Sequence, residues 1–239
     1  MKRPRTYLIR FAQLVVLLCW VLGYWWLLRD DRYQSFLSVR MRPMLVLATS
    51  LLVLFLLAVL MRRGSAGATD SPARTCAHAA VLLVPLLYMV PVQGQQLGSY
   101  TASQRNFAQA TMPEQPGSSA GPVSSRPPGG SLTIAELLSD FQRQRGHTVI
   151  TEGMAYQSAK LPPGHFVLMR FMVWCCAADA RPIGVVVASA DADSFENDTW
   201  VRVEGEAVAE CVDGRDLPCI RAVHIEKIER PKMPYLWPF

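Results

Sequence analysis

The chain has 239 residues, 51% of them hydrophobic and 18% charged, with a formal net charge of +5. That apolar share is high for a water-soluble domain, and it is concentrated in the first hundred residues, which excludes a purely soluble protein as the expectation. The charge is split the same way: up to Tyr100 there are eleven Lys/Arg against three Asp/Glu, and beyond it thirteen against sixteen. The second part lacks the net basic footprint that phosphates require, so nucleic acid is not an expected partner.

In chain order, residues 11–28 form an uncharged run that contains Trp20, Trp25 and Trp26 and lies between basic flanks. It is long enough to span a bilayer and too long for a signal-peptide core, so an uncleaved helix anchored by interfacial tryptophans is expected. A second span is expected over residues 44–61, after Pro43, which suits a first helical turn. A third covers residues 77–97, interrupted by Pro85 and Pro91 and reaching full length only through Gln93, Gln95 and Gln96 at an interface. The expectation is therefore three spans, or two if this segment does not cross.

Basic residues set the orientation. Three spans leave about seven Lys/Arg on one side and five on the other, which puts the N-terminus in the cytoplasm and the C-terminal part outside. Two spans return the C-terminal part to the cytoplasm. The expected location is a membrane crossed more than once, with the lipid bilayer as a partner.

Residues 1–100 thus read as a membrane domain and residues 101–130 as a linker, because Pro, Gly and Ser dominate there without any apolar period. From residue 131 a soluble domain is expected. Thr133 and Glu136 form a capping-box pattern ahead of Ile134, Leu137, Leu138 and Phe141 at helical spacing. Strand-like runs follow at 148–156, 166–174, 183–188, 200–209 and 219–228. A short leading helix and five strands over about a hundred residues fit an all-β, OB-like barrel. The connection between the second and third strands carries the unusual residues, whereas the usual OB helix lies between the third and fourth.

The densest chemistry lies there: Arg-Phe-Met-Val-Trp-Cys-Cys-Ala-Ala-Asp-Ala-Arg-Pro over residues 170–182. If the strand stops at the cysteines and Cys176 opens a helical turn, Asp179 shares a face with Cys175 and Cys176. Two sulfurs and a carboxylate suit Zn or another thiophilic metal. The same pair could form a vicinal disulfide or serve as two buried core thiols.

Cys211 and Cys219 flank an acidic loop, where either a hairpin-closing disulfide or two inert thiols are expected. His165 and His224 are candidate ligands but read more simply as ordinary β-domain histidines. Asp191, Asp193, Glu196 and Asp198 form an acidic loop without the pattern of a calcium site. In the tail, Pro231, Pro234, Tyr235 and Trp237 either dock on their own barrel or offer a partner-binding segment. No nucleophile elbow, phosphate loop or dinucleotide fingerprint is present, so no enzymatic activity is expected.

Spans, a Pro-rich linker, Cys175-Cys176-x-x-Asp179-Ala180-x-Pro182, Trp200 with Gly205, and Pro231-x-x-Pro234-Tyr235 together resemble the YcgQ-type family of bacterial membrane proteins. The resemblance covers nearly the whole chain. It implies a partner, a multispan permease subunit related to organoarsenical exporters, with this chain as the second component of a two-component permease. It implies no substrate, and Cys211 and Cys219 lie outside its pattern. Three functions are therefore expected in competition: an accessory or regulatory permease subunit, a thiol- or metal-binding membrane-anchored protein using Cys175, Cys176 and Asp179, and an OB-type ligand or peptide binder.

Overall fold

The computed structural model describes residues 3–61, 72–92, 97–104, 129–212 and 215–237. The chain divides into two units, residues 1–95 and 96–239. Most of the expected linker lies outside the described residues.

In the first unit, α1 (Arg3–Arg29) packs against both α2 (Arg42–Met61) and α3 (Pro72–Val92). The α1–α3 approach is close: the Trp20 indole donates to the Leu82 carbonyl at 3.2 Å, and a Cβ on Gly23 would lie 2.8 Å from Leu86. Polar side chains in α2 are satisfied within their own helix, since the Thr49 and Ser50 hydroxyls donate to the Leu45 and Val46 carbonyls at 2.7 and 2.9 Å. Internal satisfaction of this kind lets such residues sit in hydrocarbon. At the end of α1, Arg29 lies over Trp25 and Arg32 over Trp26, at 5.4 and 4.5 Å from the ring centroids.

Among the described residues two helical segments, Phe11–Arg29 and Val39–Met61, are long and apolar enough to cross a membrane. A secretory signal sequence near an N-terminus meets the same length and hydropathy criteria. The expected third span is helical as far as Val92, and among the described residues its apolar stretch runs over Ala77–Tyr88, about 18 Å at 1.5 Å per residue against a hydrocarbon core of about 30 Å.

The second unit is a closed five-stranded barrel. Strands β2 (Thr148–Tyr156), β3 (His165–Met172), β4 (Arg181–Ala188), β5 (Trp200–Val212) and β6 (Arg215–Lys227) pair in the cyclic order β2–β3–β4–β6–β5–β2. All these pairings are antiparallel except β4–β6, which is parallel. This is a Greek-key barrel of the expected OB-like kind. Two-residue strands extend the sheet: β1 (Gly130–Ser131) beside β2, and β7 (Tyr235–Leu236) beside β3.

Barrel closure needs an end plug, and the leading helix α5 (Ile134–Ser139) supplies it. Its capping box forms as the sequence predicts, with the Thr133 N–H donating to Glu136 Oε2 at 2.7 Å and the Glu136 N–H to Thr133 Oγ1 at 3.2 Å. Ile134 and Leu137, both fully buried, join Val149, Leu168, Val185 and Val203 in the interior. The connection between β4 and β5 holds only a short 3-10 turn, Ala192–Ser194.

Strand β3 is buried on both faces. Phe166 and Leu168 belong to the interior, while Val167, Met169, Phe171 and Val173 join a second apolar cluster with Ala102 and Tyr235. That outer cover is built from α4 (Ser99–Gln104) and the tail, segments that read in the sequence as tether and extension. Asp198 holds α4 in place, accepting from the Ser99 hydroxyl at 2.8 Å and from the Ser99 N–H. The segment at residues 97–104 therefore belongs with the barrel unit, not with the apolar N-terminal helices.

At the β5–β6 bulge, a Cβ on Gly205 would meet the Arg221 carbonyl oxygen at 2.3 Å and Ala222 Cα at 2.8 Å. Backbone cannot yield as a flexible side chain does. Gly205→Ala is expected to destabilise the barrel by about 1–3 kcal/mol, read as a lower urea midpoint for loss of near-UV dichroism.

Candidate metal centre

The double-cysteine turn is positioned by the buried strand that precedes it. Its last sheet contact is the Val173 N–H donating to the Leu236 carbonyl at 2.9 Å, so the docked tail fixes the strand end. Immediately beyond, the chain turns on Asp179. The Trp174 N–H donates to Asp179 Oδ1 at 2.8 Å, and the Cys175 and Cys176 N–H groups donate to Oδ2 at 2.8 and 3.2 Å. Cys176 is the N-cap of the 3-10 turn Ala177–Asp179, with Asp179 completing a capping box. The spacing of two cysteines and a carboxylate thus has a structural cause, because that carboxylate ties down three successive backbone donors.

The two Sγ atoms lie 3.7 Å apart, and one ligand atom from each of Cys175, Cys176 and Asp179 falls within 4.8 Å of the others. Among the described residues this is the group of three or more His, Cys, Asp or Glu side chains placed to hold an ion. Cys175 is exposed, while Cys176 and Asp179 are half-buried. The buried-core reading therefore does not hold for Cys175, which is exposed beyond the end of β3, while Cys176 is half-buried.

The electrostatics follow from the same contacts. Burial pulls the Asp179 carboxyl upward, but the hydrogen bonds from the Cys175 thiol and from the three N–H groups outweigh it and hold the group at about 2. In return, the hydrogen bond to Asp179, followed by that to Cys176, pushes the Cys175 thiol up to about 12. Without an ion, this thiol is protonated at neutral pH. Arg181 lies 5.7 Å from the Trp174 ring centroid and bounds the turn on the strand that follows.

The remaining candidates fall elsewhere. Tyr235 and Pro234 are buried on their own barrel, Trp237 is half-buried against the outer cluster, and Pro231 is half-buried. Of the two expectations for the tail, the structure shows docking on its own barrel, since β7 adds to the edge of β3. Arg170, to which its place in a strand-like run assigns no role, clamps this tail: its guanidinium donates to the Met233 and Pro234 carbonyls and lies 5.4 Å from the Trp200 ring centroid. Burial lowers its pKa, and Glu152 partly offsets that effect.

The hairpin disulfide is also corrected. Cys219 pairs with Val208, whereas Cys211 pairs with Asp216, three residues further along β5. Three residues are about 10 Å of strand, beyond the Cα separation a disulfide allows. Cys219 is a free buried thiol that donates to Glu210 Oε2 at 3.2 Å, and burial first and this carboxylate second push it up to about 12. The side chain of Cys211 lies outside the described residues. His165 lies 3.2 Å from Glu210 Oε1, while His224 is exposed on β6. In the acidic loop, Asp198 is engaged with Ser99.

Comparison with curated proteins gives no match to this chain. The β domain itself is recognisable: residues 132–238, the leading helix, the barrel and the docked tail together, match the DUF1980 C-terminal domain, an uncharacterised family.

Proposed function

We propose that this chain is a membrane-anchored, non-enzymatic binding protein whose barrel domain holds a thiophilic divalent ion of the zinc class at Cys175 and Cys176, with Asp179 beside them. The observation that carries this reading is the Sγ–Sγ separation of 3.7 Å. Two thiolates at about 2.3 Å from a tetrahedral zinc ion are separated by about 3.8 Å, so the turn already presents the required bite. Zinc titration of the full chain in detergent tests it. Binding of one ion tighter than about micromolar, lost in the Cys175→Ser/Cys176→Ser variant, is the expected result, and absence of such binding overturns the proposal.

The accessory role beside a multispan permease is the larger frame for this site. It rests on the resemblance drawn from the Cys-Cys-x-x-Asp and Pro-Tyr motifs, and the two apolar helices give the chain a means of meeting such a partner within the bilayer. An extracytoplasmic barrel would then present the ion to the solute side. Co-purification from detergent should recover a multispan membrane protein with this chain. Recovery of this chain alone under mild extraction would leave the metal site standing without the permease.

A further inference from the structure

Resting on that metal reading, we infer that the Cys175–Cys176 centre is a transfer site, where a zinc-class ion is passed to or from a thiolate carrier that completes its coordination shell. A storage or structural zinc site is closed by four protein ligands. Here two sulfurs are available in full. The Asp179 carboxylate is already committed, because an ionised carboxylate offers about four lone-pair positions and three of them receive the N–H groups of Trp174, Cys175 and Cys176. Turning this carboxylate fully onto an ion would release the backbone that holds the two sulfurs together. Asp179 is therefore chiefly a positioning residue, and among the described residues no further His, Cys, Asp or Glu joins the group.

At least one coordination position must then be filled from solution. Cys175 faces solvent, so an incoming ligand can approach without any movement of the barrel. A thiolate suits the ion best, since soft ligands select thiophilic metals. The exchange balances without any change of oxidation state. The incoming thiol gives up its proton and forms a sulfur–zinc bond as water leaves. The Cys175 sulfur–zinc bond then breaks and that sulfur takes up a proton. A second carrier thiol gives up its proton and replaces the Cys176 sulfur in the same way, and the ion leaves bound to the carrier.

The test uses the zinc-loaded full chain in detergent with two probes, 2-mercaptoethanol as a small thiol and a Cys-x-x-Cys peptide as a protein-like acceptor. X-ray absorption should show two sulfur ligands on zinc, rising to three or more when either thiol is added. Zinc should leave at a rate proportional to acceptor concentration, and the probe that acts faster identifies the kind of carrier. A release rate independent of both acceptors, or a shell that stays at two sulfurs, overturns the transfer inference while leaving the metal site intact. A chain that binds no zinc at all refutes the underlying reading instead. Asp179→Asn should weaken zinc binding about 10- to 100-fold, the usual effect of an outer partner, with the sulfur count unchanged. Retention of full affinity would remove Asp179 from its positioning role.

Discussion

The full chain carrying Cys175→Ser and Cys176→Ser together is expected to lose zinc binding entirely while its barrel unfolds at nearly the wild-type denaturant concentration. Both parts of this outcome follow from exposure. Buried thiols replaced by hydroxyls would leave unpaired polar groups and cost about 1–3 kcal/mol, but here, beyond the end of β3, Cys175 is exposed and Cys176 only half-buried. The turn itself is held by backbone donors on Asp179, which the substitutions leave in place. The pH dependence of wild-type binding has a definite sign. The Cys175 thiol, pushed up to about 12, must lose its proton to bind, whereas Asp179 at about 2 is already ionised throughout the neutral range. Affinity should therefore fall as pH drops, by about tenfold per pH unit for each thiol proton displaced, and the slope should count sulfurs only. Affinity independent of pH between 6 and 8, taken as roughly the neutral range, would mean that the thiols are not the ligands.

Local signals carried the barrel strands and failed where a segment's role depends on distant chain. The expected run at 148–156 coincides with Thr148–Tyr156, the run at 166–174 differs from its strand by one residue at the start and two at the end, and the run at 183–188 starts two residues late and ends with its strand. Alternating apolar positions and turn clusters suffice for these. The β5–β6 hairpin is longer than expected, with Val212 paired to Arg215, because the Arg-Asp-Leu-Pro composition of residues 215–218 conceals strand that continues past the sheet's apolar part. No local pattern announces that residues 97–104 and the tail cover β3. Their buried residues, Ala102 and Tyr235, acquire meaning only once β3 has an outer face to fill. The site was legible to the extent that capping chemistry is local: Cys-Cys-x-x-Asp encodes its own turn. What the spacing could not say is which way the carboxylate faces, and the structure turns it toward the backbone rather than leaving it free for an ion.

The other large effect is expected at the barrel end, where Leu137→Ala should destabilise the β domain by about 2–5 kcal/mol, a large fraction of the roughly 5–15 kcal/mol that holds a domain together. Helix α5 has six residues and is too short to be stable alone, so its helicity depends on its cap and its buried face. Leu137 is fully buried among the interior side chains of the barrel. Between β4 and β5, where an OB barrel usually carries its closing helix, the chain makes only the turn Ala192–Ser194, so that connection supplies no helix to fill the space. Two comparisons separate plugging from helix formation. Thr133→Ala removes the cap and should cost about 1 kcal/mol, while Leu138→Ala, at a partly buried position beside the same cluster, should cost less than Leu137→Ala. Urea unfolding of the three variants, followed by near-UV dichroism, gives the order. If Leu137→Ala costs no more than the cap variant, the barrel closes without its leading helix and the plug must come from elsewhere in the chain.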